Sequence, residues 1–199
     1  MKLPIRKYGD AALRLKGKPV TEVDRRIREL ADNMLETMRA ANGIGLAAQQ
    51  VGEPVQLTVL DISAVEDRPS TMAWNGKEVN PNDHMPLIIL NPQIETGPEK
   101  EIASEGCLSF PEISADIERA GWARVEAQTI DGEQVEIEAT GLLARALQHE
   151  IDHLNGILFI DRMSSAAKVS LSSKVKRLQR ETQRGLTTSR RQHAIEPAL

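Results

Sequence analysis

Aromatic residues are scarce in this sequence, which holds two Trp, one Tyr and two Phe in 199 residues. The core must therefore be built from aliphatic side chains, and stacking of aromatic rings on single-stranded nucleic acid is disfavoured as a binding mode. No apolar run reaches the roughly 20 residues that a membrane-spanning helix needs. These absences favour a globular protein that works in water, with neither a membrane nor DNA as a direct partner.

Cysteine occurs once, as Cys107, so no disulfide can form within the chain. The first residues, Met1-Lys2-Leu3-Pro4, do not open a signal peptide. A chain that has neither internal disulfides nor a secretion signal is typical of a reducing compartment. We therefore expect a cytoplasmic protein.

Charge is distributed unevenly along the chain. The net charge is −4 overall, but the segment after Ala167 holds eight basic and two acidic residues, a net charge of +6. The length fits one main domain, which we place at residues 1–164, and residues 165–199 are expected to form a basic helix and a flexible tail. Such a segment either contacts a polyanion or forms a solvated helix face.

Short apolar runs and alternating segments predict a largely antiparallel sheet. Runs bounded by polar residues and proline are typical of buried strands, and two alternating segments around Asp131-Gly132 indicate a hairpin. The stretch 63–86 is polar and punctuated by proline, which favours a surface loop. The predicted strands are residues 57–60, 87–90, 122–130 and 135–139.

Apolar residues at helical spacing predict three helices. The first covers residues 27–41, with Thr21 or Asp24 as its N-cap. The second begins near Thr140 and ends at Asn155, and its apolar stripe places it centrally against the sheet. The last runs from Ser165 to about residue 184, followed by a disordered tail. The predicted fold class is α+β, a mostly antiparallel sheet around a central helix, with a C-terminal helix.

The central helix carries the pattern His149-Glu150-x-x-His153. Residues four apart lie on the same helix face, so both imidazoles can reach one metal ion while Glu150 lies beside them. The alternative is an amphipathic helix with two solvated histidines. The pattern predicts a metal site with a base next to it.

A catalytic site of this kind usually has three protein ligands, so a third must be found. One class of proteases continues the pattern with a histidine, but Phe159 stands at that position, and the later Glu181 and Glu196 lie in the basic segment. Cys107, which follows Gly106, remains as the candidate. One thiolate and two imidazoles are a chemically sensible ligand set, although a single cysteine is otherwise more often a small buried apolar residue.

Residues 43–50 read Gly-Ile-Gly-Leu-Ala-Ala-Gln-Gln, a run of small residues bracketed by glycines. Glycine lets the backbone approach another chain or a ligand closely. Taken alone, the run is more simply explained as a helix end followed by a tight chain crossing.

Together, residues 43–50, residues 105–109 (Glu-Gly-Cys-Leu-Ser) and residues 148–153 (Gln-His-Glu-Ile-Asp-His) resemble the three signature motifs of the peptide deformylases. The similarity covers about residues 3–163 in motif order and spacing. It implies a metal-dependent hydrolase that removes the formyl group from the N-terminal methionine of newly synthesised proteins. The implied cofactor is a divalent metal, usually Fe²⁺, with Zn²⁺, Ni²⁺ or Co²⁺ as alternatives.

The resemblance also implies roles for the residues that match the motifs. Cys107, His149 and His153 would hold the metal, and Glu150 would transfer a proton from the metal-activated water to the leaving amine.

The remaining implied roles concern the substrate. The side-chain amide of Gln50 and the backbone N–H of Leu108 would stabilise the formyl oxygen, and Gly45 and Ile44 would lie along the peptide. The basic C-terminal segment would contact the ribosome.

The sequence leaves the role of Asp152 open: it could orient a ligand, pair with Arg119 or be solvated. Glu105 is expected to make a structural hydrogen bond. Two other functions also remain open. A metalloprotease could use the same helix. A non-catalytic metal-binding module that docks on ribosomes would need the ligands but not Glu150.

Overall fold

The computed structural model describes residues 1–195, with side chains to residue 188. In this part of the chain, two β-sheets and a central helix form the predicted α+β fold. The strands are β1 Gly45–Ala47, β2 Leu57–Leu60, β3 Met72–Trp74, β4 Lys77–Val79, β5 Leu87–Thr96, β6 Lys100–Gly106, β7 Ser114–Ala120, β8 Trp122–Thr129 and β9 Gln134–Thr140. The α-helices are α1 Arg25–Ala40, α2 Gly141–Leu154, α3 Phe159–Arg162 and α4 Ser165–Ile195.

The larger sheet has seven strands in the order β1-β2-β5-β8-β9-β3-β4, and every pairing in it is antiparallel. β6 and β7 form a separate two-stranded ribbon. The four predicted strands are all present, and the β8–β9 hairpin has the expected turn, with Gly132 at φ +88°. The largely antiparallel architecture is therefore confirmed.

α2 lies at the centre of the fold, as its apolar stripe predicts. Twelve of its fourteen residues are buried, which leaves no solvated face of ordinary width. Leu143 and Leu147 pack with Val125 and Ile137 of the sheet in one apolar cluster, and burying each large aliphatic side chain contributes about 1.5–3 kcal/mol. The helix starts at Gly141, whose φ of +61° is unfavourable for other residues.

α1 follows the predicted pattern closely. Of the two candidate caps, Asp24 is the one that the structure uses, since its side chain accepts a hydrogen bond from the Ile27 N–H at 2.8 Å. The chain leaves the helix with Asn42 at φ +54° and the Gly43 N–H donating to Met38 O at 2.9 Å. The helix end expected in residues 43–50 is thus present, and β1 follows it directly.

The stretch 63–86 is not only a surface loop, as predicted, because it contains the β3–β4 hairpin. Asn75 at φ +50° and Gly76 at φ +75° form its turn, and Asn-Gly is the preferred sequence for such a turn. β3 extends the sheet by pairing with β9. The strands escape detection because each has three residues and proline flanks the hairpin on both sides.

α4 continues beyond its predicted end, as far as Ile195, where an irregular tail was expected. Gly185 lowers helix stability by only about 1 kcal/mol relative to Ala, and no proline occurs between residues 165 and 196. The predicted tail at residues 196–199 lies outside the described residues. Of the described helices, none combines the length and apolar character needed to cross a membrane.

Candidate metal centre

Three side chains that bind metals lie next to one another. His149 and His153 share one face of α2, and Cys107 reaches the same point from the end of β6. One donor atom from each residue lies within 4.8 Å of the other two, and Cys107 Sγ is 3.2 Å from His153 Nε2. Metal bonds of about 2.0–2.3 Å to nitrogen and sulfur fit between donors at these distances. The thiolate and two imidazoles therefore suit a divalent transition metal.

The orientation of His149 is set by Glu105, which is buried on β6. His149 Nδ1 donates to Glu105 Oε2 at 3.0 Å, so Nε2 is the ring nitrogen that faces the other two donors. Burial disfavours the charged imidazole, but hydrogen bonds with Cys107 and Glu105 raise the pKa of His149 to about 10. A metal and a proton compete for the same nitrogen, so metal binding releases that proton.

Glu105 is itself held by two buried arginines. Arg119 donates from Nε and Nη2 to the two carboxylate oxygens at 2.8 and 3.0 Å, and Arg145 Nη1 donates to Oε1 at 2.8 Å. Against the effect of burial, hydrogen bonds from His149 and Arg119 lower the pKa of Glu105 to about 2. The carboxylate is therefore ionised at neutral pH and keeps His149 in place.

Asp152 belongs to the same network. Of the three roles considered for Asp152, the pairing with Arg119 is present: Arg119 Nη1 donates to Asp152 Oδ2 at 2.6 Å. Arg162 of α3 donates to both Asp152 oxygens at 2.6 and 3.1 Å. The pair is buried on the α2 side, so Asp152 is not a solvated helix charge.

The sequence predicts one residue of this network and misses another. Glu105 makes the structural hydrogen bonds expected of it, and one of its partners is the imidazole of His149. Arg145 was not singled out, although its guanidinium joins α2 to β6 and β7 through Glu105 Oε1, Ile117 O and Glu101 O. One signal was available, because an arginine four residues before His149 interrupts an otherwise apolar helix face.

Glu150 is buried beside the three candidate ligands. Its Oε2 has no hydrogen-bond partner among the described residues, and burial raises the pKa of the carboxyl to about 7, although the charges of His149 and Arg119 oppose the shift. The space for this carboxylate depends on Gly45, because a Cβ at position 45 would overlap Glu150 Oε1.

Gln50 points its amide nitrogen at the site. It lies in the 3-10 turn that follows β1, and its Oε1 accepts a hydrogen bond from the Ala47 N–H at 2.8 Å. This bond fixes the amide so that Nε2 donates to Ser109 Oγ at 3.2 Å and lies 3.6 Å from Cys107 Sγ.

The N-terminal segment, whose structure the sequence left open, joins two of the motifs. The Arg6 N–H donates to Gln50 O at 2.7 Å, and the Tyr8 N–H donates to Ser109 O at 2.9 Å. The Tyr8 ring also stacks on Phe110, with ring centroids 4.9 Å apart. Residues 6–8 therefore hold the Gln50 and Cys107 segments side by side.

A cavity of about 620 Å³ opens onto these groups. Every predicted site residue except His153, which is deeper, contributes to its lining, including Ile44, Gly45 and Leu108. Its volume is within the range of about 300–1,000 Å³ that is typical of small-ligand sites. The cavity can therefore admit the end of a peptide chain.

A thiolate and two imidazoles with a buried carboxylate beside them, open to such a cavity, define the site of a metal-dependent hydrolase. A family model described as Polypeptide deformylase matches residues 2–169. The chain belongs to the peptide deformylase family.

Individual relatives agree with this assignment. The chain is 44% identical over 184 residues to the peptide deformylase of Opitutus terrae, covering 92% of this chain and 95% of that protein. The crystal structure of the peptide deformylase from Thermotoga maritima is similar with a TM-score of 0.70 at 42% identity, covering 82% of this chain and 99% of that one. The crystal structure of a peptide deformylase from Synechococcus elongatus in complex with actinonin is similar with a TM-score of 0.74 at 38% identity. The match covers 86% of this chain and 87% of that one.

The activity follows from the family. The protein is a hydrolase that removes the formyl group from the N-terminal methionine of newly synthesised proteins, it depends on a metal, and nascent peptides are its substrates. The activity expected from the sequence motifs is confirmed, and the metalloprotease and non-catalytic alternatives are disfavoured.

Proposed function

We propose that Cys107, His149 and His153 hold the catalytic metal and that Glu150 is the general base and acid of deformylation. The proximity of the three donor atoms within 4.8 Å is the observation that carries this proposal. When bound there, a divalent metal acidifies water and polarises a carbonyl oxygen.

Glu150 handles the proton in this proposal. A carboxyl group with a pKa of about 7 exchanges protons readily near neutral pH, and its unpartnered Oε2 is available to a water. The carboxylate accepts a proton from the attacking water and then donates it to the departing amine of methionine.

Gln50 and Leu108 stabilise the charge that develops on the formyl oxygen. The hydrogen bond from the Ala47 N–H occupies Gln50 Oε1 and leaves Nε2 directed to the site. The Leu108 N–H donates to no acceptor within the described part of the chain. Fixed donors of this kind contribute about 3–4 kcal/mol each to stabilising a transition state.

Gly45 and Ile44 lie along the bound peptide. β1 is an edge strand with β2 as its one neighbour in the sheet, and Ile44 and Gly45 also line the cavity. An extended peptide can add to such an edge through its backbone.

Replacing Glu150 by glutamine tests the base. Because glutamine keeps the shape but cannot accept the proton, Glu150→Gln should reduce formate release from a formyl-Met peptide about 10²–10⁴-fold, while bound metal is retained. Formate is assayed together with the intact peptide product, so that internal cleavage would be detected. Full activity of the variant, or loss of metal with loss of activity, would contradict the proposed role.

The metal in the cell is proposed to be Fe²⁺. The donor set supports a soft or borderline divalent ion but also accepts Zn²⁺, Ni²⁺ or Co²⁺. Protein purified without oxygen should contain iron, and its activity should rise in proportion to iron content when the apoprotein is reloaded. A fully active preparation that contains zinc and no iron would overturn this assignment.

Residues 1–164 are proposed to form the catalytic unit, and the basic segment 165–199 to dock on the ribosome in the cytoplasm. A single free cysteine among the ligands supports a reducing compartment. One stripe of α4 packs on the body through Leu171 and Val175, and its basic side chains are exposed, namely Lys168, Lys174, Lys176, Arg177, Arg180 and Arg184.

Co-sedimentation with ribosomes tests this docking. The full chain should bind in a salt-dependent manner, whereas a chain truncated after Ser164 should not bind yet should still deformylate a short peptide. As a matched control, Lys174→Gln with Arg177→Gln should weaken binding without removing the helix. Equal binding by the full and truncated chains would refute the proposal.

A further inference from the structure

Arg68 lines the cavity wall but has no hydrogen-bond or ionic partner among the described residues. It is half-buried, it lines the cavity that leads to the metal centre, and it makes no hydrogen bond or ion pair of its own to any described residue. The second arginine of the cavity, Arg145, is fully engaged with Glu105 and two backbone carbonyls. A half-buried guanidinium without a partner loses hydration without compensation, which makes a ligand the natural partner for Arg68.

The backbone next to Arg68 is tied to the start of α2. A Cβ on Gly141 would overlap Pro69 O, so the two segments are in close contact. The Leu143 N–H donates to Ser70 Oγ at 3.0 Å, and the Thr71 N–H donates to Thr140 Oγ1 at 3.2 Å. The position of Arg68 is therefore coupled to the helix that carries His149 and His153.

The other charged residues that line the cavity are paired with one another, take part in the proposed chemistry or are negative. Glu105 and His149 bind one another, and Glu150 faces the reacting group. Glu112 is exposed on the cavity wall at φ +60° and forms no ion pair with any residue described. Arg68 is thus the positive charge that remains for a substrate group.

We propose that Arg68 is a specificity-determining residue that favours formyl-methionyl peptides with an acidic side chain shortly after the methionine. The proposal rests on the deformylase site described above. With the formyl group at the metal centre, the peptide must leave along the cavity wall, where Arg68 lies beside the positions that follow methionine. A guanidinium pairs with a carboxylate through two parallel hydrogen bonds, a geometry that an amide matches poorly.

Matched peptides test the inference. The substrates are formyl-Met-Ala-Glu-Ala-amide and its Gln counterpart, with the acidic position also moved to the second and fourth residues, and the readout is kcat/KM from formate release. At one of these positions wild type should prefer Glu over Gln about two- to fivefold, the range expected for a partly exposed ion pair. The preference should lie mainly in KM and should fall at high ionic strength.

Variants then attribute the preference to the side chain. Arg68→Gln should bring the Glu/Gln ratio to about one, and Arg68→Lys should retain part of it because the positive charge persists. Arg25→Gln, at an exposed position on α1, is the matched control and should leave the ratio unchanged. Because each ratio compares two substrates on one protein, partial loss of folded enzyme does not affect it.

Two outcomes overturn the inference: a wild-type ratio near one at every position, or a ratio that Arg68→Gln leaves unchanged. Failure of the deformylase assignment is distinguishable, because wild type would then release no formate from any of the peptides.

Discussion

Gly45 and Glu150 show how one residue makes room for the chemistry of another. The absence of a side chain at position 45 leaves the volume that the carboxylate of Glu150 occupies. The sequence explained this glycine by close approach to the substrate, and the structure adds close approach to the carboxylate of Glu150, the proposed base. A glycine can thus be required at a site for the room that it leaves to a neighbouring side chain, in addition to any contact with a ligand.

A methyl group at position 45 should therefore impair catalysis more than folding. Gly45→Ala should lower kcat/KM about a hundredfold, because a displacement of about 1 Å at a catalytic group costs this much, and metal content should be unchanged. Gly97→Ala is the control, since a Cβ there meets nothing closer than 3.6 Å. Wild-type activity in Gly45→Ala would show that Glu150 tolerates the shift.

At the residue scale, the clustering of the proposed ligands was predictable, but most of the contacts that hold them in place were not. The spacing of His149 and His153 is local, so helix geometry alone places them on one face. Glu105 and Arg145 are 40 residues apart and meet only after β6 packs on α2. Periodicity cannot tell that such charged residues are buried, because most of them are solvated.

Among the secondary-structure elements, β6, β7, α2 and α3 are joined by one buried ionic network. Glu105 of β6 and Asp152 of α2 are the acidic members, and arginines from β7, α2 and α3 surround them. Removing one member of a buried pair costs about 3–5 kcal/mol because the partner stays uncompensated. The network holds the small ribbon to the ligand helix, so Cys107 and His149 keep their separation.

The pH dependence of stability should reveal this network. The pKa of Glu105 falls from 4.5 in the unfolded chain to about 2 in the folded one, so its contribution is complete above pH 4.5 and is lost as the pH falls towards 2. The difference corresponds to roughly 3 kcal/mol at most. Urea unfolding of the apoprotein between pH 7 and 3 should show a steeper loss of stability in wild type than in Glu105→Gln.

The control for that comparison is Glu78→Gln on the exposed strand β4, whose pH profile should match wild type. Parallel profiles for wild type and Glu105→Gln would mean that Glu105 does not couple protonation to folding.

Which elements the sequence reveals depends on their apolar content. β2 reads Leu-Thr-Val-Leu, with three apolar residues of four, and all four are buried. β6 reads Lys-Glu-Ile-Ala-Ser-Glu-Gly, and one residue of its seven is buried. A ribbon held by ion pairs and backbone hydrogen bonds leaves little hydrophobic pattern, and for this reason β6 and β7 were not predicted.

On the scale of the whole molecule, the three proposed metal ligands come from segments that are distant in sequence. Cys107 follows β6, whereas both histidines lie more than 40 residues later. A ligand that binds only the folded state stabilises it, by about 2.7 kcal/mol at a hundredfold excess over Kd. The fold and the metal site should therefore be thermodynamically linked.

Removing the metal should thus lower the melting temperature. For a domain of this size, 1 kcal/mol corresponds to about 2–4 °C, so chelation should lower Tm by about 5–10 °C under those conditions, as measured by calorimetry. The Tm of the Cys107→Ser variant should change much less when the metal is added or removed. An equal response in this variant would exclude Cys107 as a ligand.

Because α2 covers the large sheet and follows all of its strands in the sequence, an incomplete nascent chain lacks the helix that the sheet packs against. Chains are synthesised from the N-terminus, and strands that lack their packing partner are prone to aggregate. Seven strands of the large sheet precede residue 141, yet the helix that covers them ends at Leu154. A nascent chain that stalls before this point presents an uncovered apolar sheet. Truncation upstream of His149 should therefore produce insoluble material rather than a smaller folded protein.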